Sequence, residues 1–164
     1  MRIAEAIQDS IVDGPGFRFA IFTQGCIHNC PGCHNPNTHD ITGGKEMTTD
    51  ELIKKMLSNP MTDGLTLSGG DPFMQPEDCT VIARAAHENG LSVWTYTGYT
   101  YEELIGLSET RPEIMELLRE TDVLIDGRFV LELRTLDCKW RGSTNQRLID
   151  VKKSLAAGAA VTTD

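Results

Sequence analysis

Three cysteines crowd into a short loop near the start of the chain. They lie in the stretch GCIHNCPGCHN, where Cys26, Cys30 and Cys33 form a C-x3-C-x2-C pattern. Thiolates bind zinc and iron–sulfur clusters, and a closed site of either kind usually takes four protein ligands. Three cysteines in the pattern therefore predict a metal site with one position left open.

Two kinds of metal site are compatible with this spacing. Three thiolates from one loop can hold three irons of a [4Fe–4S] cluster, which leaves the fourth iron free. A zinc site would need a fourth ligand from elsewhere in the chain. The candidates for that ligand are His28, His34, His39, Cys79 and Cys138. The loop by itself favours the cluster and leaves zinc open.

A second segment that could form part of a binding site is the glycine-rich stretch SGGDP at residues 68–72. Adjacent glycines let backbone groups approach a ligand closely, because neither residue carries a Cβ. The same composition is also typical of a plain turn. Taken alone, the segment does not distinguish a binding loop from a turn.

The composition narrows the classes of function and location. The 164 residues include 15 Lys and Arg against 24 Asp and Glu, a net charge of -9, so binding to nucleic acid through charge is not expected. No apolar run approaches the roughly 20 residues that span a bilayer, and the first residues lack the pattern of an export signal. We therefore expect a cytoplasmic protein with reduced thiols. An odd count of five cysteines fits metal binding better than disulfides.

Strands and helices are predicted to alternate along the chain. The patterns predict strands at residues 17–24, 64–68, 91–97, 122–126 and 147–151. They predict helices after an N-cap at Thr48 and at residues 76–89, 101–107, 112–120 and 151–157. This alternation indicates one α/β domain over residues 1–164, with a mainly parallel sheet and a frayed tail at about 158–164. Because ligands bind beyond the carboxyl ends of parallel strands, the loops after these strands are expected to share one site.

The cysteine loop and the glycine loop together resemble the radical S-adenosylmethionine enzymes. In that family a C-x3-C-x2-C loop follows the first strand and a GGE loop follows the second. Asp71 stands where the family commonly has Glu, and Gly32 stands before the third cysteine, where many members have an aromatic residue. The resemblance implies a [4Fe–4S] cluster on the catalytic cysteines Cys26, Cys30 and Cys33, together with bound S-adenosylmethionine.

Four further segments are similar to a narrower branch, the glycyl-radical activating enzymes. VDGPGFR at residues 12–18 resembles the segment that opens these enzymes, and CHN at 33–35 recurs in the formate-lyase activating members. WTYTGY at 94–99 and WRGSTNQR at 140–147 resemble members that activate anaerobic ribonucleoside-triphosphate reductase. The resemblance runs from residue 12 to about residue 151.

This branch implies a fold, an activity and partners. The fold is a minimal, partial parallel (β/α) barrel of the radical S-adenosylmethionine type, with about five or six strands and one open side. The activity is reductive cleavage of S-adenosylmethionine to a 5′-deoxyadenosyl radical, which makes a glycyl radical near the C-terminus of the reductase. A flavodoxin or ferredoxin is the implied reductant. No nucleic acid or membrane partner is expected.

The resemblance also assigns residues around the cluster. Gly69, Gly70 and Asp71 are expected to hold the methionine end of the cofactor. Gly32 and His34 flank the cluster and are expected to line the cofactor site.

Three later residues complete the predicted site. Tyr96 and Thr97 end a strand at the same edge, where the resemblance places the ribose. Arg128 follows DVLIDG and can pair with the methionine carboxylate or form an ordinary surface salt bridge.

Two alternatives stay open from the sequence. The chain could activate a different glycyl-radical enzyme, such as a formate-lyase relative, and the TGY and WRGSTNQR segments are the features that separate the two. It could instead be a zinc or iron–sulfur binding module without catalysis. Cys79 in its predicted helix fits a buried apolar residue better than a ligand, and Cys138 has no predicted role.

Overall fold

Strands and helices alternate along most of the chain in the computed structural model, which describes residues 1–33 and 35–163. The strands in these ranges are β1 (Arg2–Ser10), β2 (Arg18–Thr23), β3 (Lys45–Glu46), β4 (Gly64–Gly69), β5 (Ser92–Tyr96), β6 (Val123–Asp126) and β7 (Arg147–Asp150). The α-helices are α1 (Thr49–Leu57), α2 (Pro76–Glu88), α3 (Tyr101–Ser108), α4 (Pro112–Arg119) and α5 (Val151–Ala157).

The strands form one mixed sheet in the order β3-β1-β2-β4-β5-β6-β7. Its centre, from β2 to β6, is parallel, whereas β1, β3 and β7 pair antiparallel with their neighbours. The sheet ends at β3 and β7 and does not close. The predicted α/β fold with a partial parallel sheet is confirmed, with more strands than expected because β1 and β3 extend one edge.

Helices connect the parallel strands, so the carboxyl ends of β2, β4, β5 and β6 lie at one edge of the sheet. The cysteine loop, the glycine loop and the TGY segment all begin at this edge. The helices are short, from 7 residues in α5 to 13 in α2. Within the described ranges, no helix has both the length and the apolar character to cross a membrane.

Alternation along the strands gives the sheet two different faces. On one face, Ile21 and Leu67 belong to a large buried core to which all five helices contribute. On the other face, Trp94 and Ile125 form a smaller cluster. Trp140 covers this cluster and meets the Trp94 ring edge-to-face at 5.8 Å between centroids. The segment after β6 thus takes the place of a helix on this second face.

Local sequence accounts for the elements that were predicted. The hydroxyl of Thr48 accepts a hydrogen bond from the backbone N–H of Glu51 at 3.1 Å, which confirms the predicted N-cap of α1. The sequence did not indicate β1, because only Ile3 and Ser10 of its nine residues are buried. A strand so exposed lacks the apolar alternation by which strands are identified.

The end of the chain lies against the sheet as far as it is described. The N–H of Asp150 donates to the carbonyl of Val161 at 2.9 Å, and the N–H of Thr163 donates to Leu148 at 2.8 Å. Fraying was the expectation for this tail, whereas these bonds tie it to β7.

Candidate metal and cofactor site

A cavity of about 1030 Å³ opens at the carboxyl ends of the parallel strands. Segments that follow four different strands contribute to its walls. Its lining includes Cys26, Cys30, Cys33, Gly69, Gly70, Tyr96, Thr97, Gly98, Gly127 and Phe129. The structure therefore brings most of the predicted site residues to one place.

A tight turn places two of the cysteines on the cavity wall. The N–H of Cys33 donates to the carbonyl of Cys30 at 3.1 Å, with Pro31 and Gly32 between them. Gly32 has φ +73°, so the turn has the residue preferences of type II, with proline first and glycine second. A Cβ on Gly32 would also lie 2.8 Å from a methyl carbon of Leu131. The positive φ therefore favours glycine before the third cysteine, and a larger residue there would also have to displace the Leu131 side chain.

Backbone N–H groups surround the three thiols. The N–H groups of His28 and Asn29 donate to the sulfur of Cys26, and that of Phe129 donates to Cys30. The N–H of Asn35 donates to Cys33 at 3.4 Å. Such donors favour a thiolate and tune the potential of an iron–sulfur cluster.

Burial opposes these donors when no metal is bound. It raises the pKa of the Cys26 thiol and of the Cys30 thiol. A bound metal ion reverses this preference, because it holds the coordinating thiol deprotonated. Three half-buried thiols with N–H donors on one cavity wall therefore fit a [4Fe–4S] cluster.

The alternative zinc site finds less support among the described residues. No three His, Cys, Asp or Glu side chains in residues 1–33 and 35–163 converge closely enough to hold one metal ion. In a [4Fe–4S] cluster each cysteine binds a different iron, so the sulfurs need not converge on one point. Cys79 is fully buried in α2, as predicted, and Cys138 lines the cavity. His34, predicted to line the cofactor site, lies outside the described residues.

The two glycines of the GGD segment permit direct backbone contact with the cysteine loop. The N–H of Gly70 donates to Thr23, and that of Asp71 donates to Gly25, each at 2.8 Å. A Cβ on Gly70 would lie 2.3 Å from the Gly25 carbonyl oxygen, and one on Gly69 would lie 2.4 Å from the Thr23 nitrogen. These contacts require glycine at both positions, and both residues still face the cavity.

Asp71 lies behind the cavity wall. Its side chain is fully buried, and its carboxylate accepts hydrogen bonds from His28, Phe73, Thr97 and Gly98. Asp71 is not among the residues that line the cavity. Its expected contact with the methionine end of the cofactor stays a prediction, and the structure gives the carboxylate four protein donors.

Tyr96 and Thr97 both line the cavity at the predicted edge of the sheet, but their hydroxyl groups differ in their surroundings. Burial raises the pKa of the Tyr96 hydroxyl far above its ordinary value, so the phenol is neutral. The Thr97 hydroxyl donates to Asp71 at 2.9 Å and accepts from the N–H of Tyr99 at 3.1 Å. Both residues line the cavity, and their contact with a ribose stays a prediction.

Two arginines lie near the site in different states. The guanidinium of Arg128 is half exposed and pairs with Glu103 at 3.2 Å, and Arg128 is absent from the lining of the main cavity. Arg141, from the WRGSTNQR segment, lines that cavity. Its Nε is buried without a hydrogen-bond partner among the described residues. The sequence had singled out Arg128, and the structure adds Arg141.

The VDGPGFR segment also forms part of the cavity wall. Val12 and Asp13 line the cavity, a role that the sequence did not indicate. Arg18 holds this segment from beneath: it is 1% exposed and donates to the Pro15 carbonyl at 3.0 Å and to the Thr66 hydroxyl at 2.7 Å. Burial lowers the Arg18 pKa to about 10. One sequence feature could have indicated this role. Arg18 is the first residue of an apolar strand and follows a glycine-rich segment.

Comparison with known proteins agrees with this geometry. Residues 12–149 match the family model described as "4Fe-4S single cluster domain". The anaerobic ribonucleoside-triphosphate reductase-activating protein of Escherichia coli K12 is 35% identical over 146 residues, 83% of this chain and 90% of that protein. The protein of the same name from enterobacteria phage T4 is 36% identical over 144 residues, 84% of this chain and 86% of the phage protein. The pyruvate formate-lyase-activating enzyme of Clostridium pasteurianum is 42% identical over 127 residues, 73% of this chain and 49% of that enzyme.

Proposed function

The chain belongs to the 4Fe-4S single cluster domain family, together with the anaerobic ribonucleoside-triphosphate reductase-activating proteins, and we propose that it activates such a reductase as a radical S-adenosylmethionine enzyme. The observation that carries this proposal is the cavity at the strand ends. Three cysteines of one loop and the two glycines of the next loop line it together.

The cysteines and glycines have separate tasks in this proposal. Cys26, Cys30 and Cys33 hold the cluster, and the backbone of Gly69 and Gly70 holds the methionine end of S-adenosylmethionine. When bound, the cluster supplies one electron and the cofactor supplies the 5′-deoxyadenosyl radical that removes hydrogen from a glycine α-carbon of the reductase.

Other residues shape the cavity and exclude water from it. Tyr96 presents a neutral, mostly buried ring beside Thr97, near the place assigned to the ribose. Phe129 and Trp140 add apolar walls. Exclusion of water protects a carbon radical from side reactions. Gly32 and His34 keep their proposed places beside the cluster.

An arginine is the natural partner for the carboxylate of the methionine. Arg141 is the better placed candidate, because it lines the cavity and its Nε lacks a hydrogen-bond partner among the described residues. Arg128, the candidate from the sequence, would first have to leave Glu103.

The partners follow from the same proposal. The substrate is a glycine near the C-terminus of the reductase, presented on a segment that enters the cavity. The cavity of about 1030 Å³ lies at the upper end of the range of about 300–1,000 Å³ that is typical of small-molecule sites, so it is large enough for the cofactor. A flavodoxin or ferredoxin in the cytoplasm supplies the electron. A formate-lyase relative is the second candidate substrate, favoured by the identity with the Clostridium enzyme.

Electron paramagnetic resonance tests the proposal. Protein reconstituted with iron and sulfide without oxygen, then reduced with dithionite, should show a [4Fe–4S] signal that changes when S-adenosylmethionine is added. Addition of the anaerobic reductase should then give a glycyl radical, and formate lyase in its place should not. A zinc protein without a cluster after careful reconstitution would contradict the proposal.

A further inference from the structure

One buried carboxylate connects three loops of the site. Asp71, from the glycine loop, is 0% exposed. One of its oxygens, Oδ2, accepts from His28 Nε2 at 2.7 Å, from the Thr97 hydroxyl at 2.9 Å and from the Gly98 N–H at 3.0 Å. The other, Oδ1, accepts from the Phe73 N–H at 3.0 Å. His28 belongs to the cysteine loop, and Thr97 and Gly98 belong to the TGY segment, so Asp71 ties both to its own loop.

The position of His28 is defined on several sides. Its side chain is 3% exposed although it lies between Cys26 and Cys30 on a loop that faces a cavity. Its ring meets the Tyr99 ring edge-to-face at 4.6 Å between centroids. A Cβ on Gly98 would lie 2.4 Å from the imidazole carbon Cδ2. Gly98 therefore makes the space in which the imidazole sits.

The hydrogen bonds of Asp71 use most of what a carboxylate can accept. An ionised carboxylate has about four acceptor positions, and four protein groups already donate to this one. None of these donors is solvent. A ligand in the cavity would therefore have to displace a protein donor to reach Asp71.

We propose that His28 and Asp71 form a positioning pair that fixes the cysteine loop against the glycine loop, and so sets where S-adenosylmethionine binds relative to the cluster. This inference rests on the proposed function. The pair accounts for the residue types at both positions. His28 reaches a carboxylate through its far ring nitrogen, and Asp71 is short enough to remain behind the wall. Neither residue is a catalytic residue in this inference.

The backbone contacts explain why a side-chain anchor is needed. The cysteine loop is fixed at its start by the N–H of Gly25, which donates to Thr38 at 2.6 Å, and by the N–H of Cys26, which donates to His39 at 3.2 Å. Between Cys26 and Cys30, Ile27 and Asn29 are exposed. His28 is the side chain that ties this middle part to another loop.

Substitutions of His28 test the pair directly. We expect H28A to bind iron as the wild type does, because its three cysteines remain, but to bind S-adenosylmethionine about 10- to 100-fold more weakly, because the two loops that form its site would be misplaced relative to each other. H28Q should recover much of that affinity, since the glutamine amide can donate from near the position of Nε2. The measurements are iron content and a titration of S-adenosylmethionine followed by the cluster's paramagnetic resonance signal.

Two glycine substitutions, one test and one control, probe the geometry without replacing either residue of the positioning pair. G98A should displace the imidazole and weaken S-adenosylmethionine binding as H28A does. G106A is the control, because a Cβ at Gly106 in α3 has no neighbouring atom within 4 Å. G106A should leave the affinity within about twofold of wild type, since an exposed helical glycine accepts alanine readily.

The outcomes separate this inference from the proposed function. If wild-type protein loads a cluster that does not respond to S-adenosylmethionine, the proposed function fails. If wild type responds and H28A and G98A bind the cofactor with wild-type affinity, the positioning pair is wrong. Variants that lose thermal stability or iron while the loaded fraction keeps wild-type affinity would show a merely structural role, which also overturns the inference.

Discussion

Among the histidines in residues 1–33 and 35–163, two contact carboxylates, one at each end of the parallel strands, and their surroundings differ. At the carboxyl ends, His28 contacts the fully buried Asp71 with a side chain that is 3% exposed. At the amino ends, His87 lies between Glu120 and Asp122, at 2.9 Å from each, with its side chain 32% exposed. A contact between histidine and carboxylate is therefore found inside the site and also near the surface.

The difference shows what each contact is suited to do. His87 joins the last turn of α2 to the start of β6 and the end of α4, so it links elements of the core from the outside. Burial lowers the pKa of His87, but the hydrogen bonds that its ring donates to the carboxylates of Asp122 and Glu120 outweigh burial, and the net pKa is raised. The far contact is thus an ion pair that contributes to stability. The buried contact fixes geometry, because four groups converge on one carboxylate.

The largest effect should follow from removing a cysteine at the site end. C30S should abolish the cluster and all radical formation, because one iron loses its thiolate ligand. C79A is the control, since Cys79 is fully buried in α2 and lies outside the cavity lining. Iron and sulfide analysis with visible absorption checks both variants. A full cluster in C30S would show that Cys30 is not a required ligand, which would contradict the assignment of the cluster to the carboxyl ends of the strands.

Glycines at the two ends provide a second, smaller contrast. G70A should be destabilised by about 1–3 kcal/mol and load less iron, because its Cβ would meet the Gly25 carbonyl oxygen at 2.3 Å. Gly90, after α2, also has a positive φ of +75°, but nothing lies within 4 Å of a Cβ there. G90A should therefore lose only about 1–2 kcal/mol from backbone strain and keep full iron content. Denaturant unfolding and iron analysis compare them, and equal loss of iron would contradict the contrast.

The two arginines near the cavity provide a test within the site at the carboxyl ends of the strands. R141M should weaken S-adenosylmethionine binding about tenfold or more, since a hydrogen bond to a charged group contributes about 1.5–3 kcal/mol. R128M should change it by less than about threefold, because Arg128 pairs with Glu103 at the surface. Titration of cofactor into cluster-loaded protein measures both constants. The reverse order would support Arg128, the residue indicated by the sequence, as the carboxylate partner.

The smallest expected effect is on the pH dependence of the free energy of unfolding, and it concerns His87 at the amino ends of the strands. Because the folded pKa of His87 is raised, its contribution is fully present below the unfolded pKa of about 6.5 and is lost as pH rises through the folded value. After allowance for its exposure, we expect about 0.5–1 kcal/mol, which H87Q should remove. Urea unfolding of both proteins at several pH values checks this. A stability difference that grows with rising pH would have the wrong sign.

Much of the fold follows from local patterns in the sequence. The predicted helix at 151–157 matches α5, and the predicted helix at 76–89 matches α2 within one residue. The strands at 64–68 and 122–126 likewise agree with β4 and β6. These elements have strong apolar patterns and clear caps, which depend only on neighbouring residues. β1 and β3 have neither feature, and only pairing with other strands defines them.

The sequence by itself determined two features of the site, the cysteine loop and the place of the glycine loop beside it at one edge of the sheet. It did so through cysteine spacing and strand order. The spacing of Cys26, Cys30 and Cys33 is local, and the turn through Gly32 needs no distant residue except Leu131, which the glycine accommodates. Chain order then placed the glycine loop after the next parallel strand. Both inferences concern backbone, which local sequence largely controls.

Only the tertiary structure decided where the polar side chains point. His28 and Asp71 are 43 positions apart, and nothing near either residue indicates their contact. The same holds for Arg128 and Arg141, of which one finds Glu103 and the other faces the cavity. The direction of a side chain depends on which distant groups offer hydrogen bonds and space, and those groups come together only when the sheet is assembled.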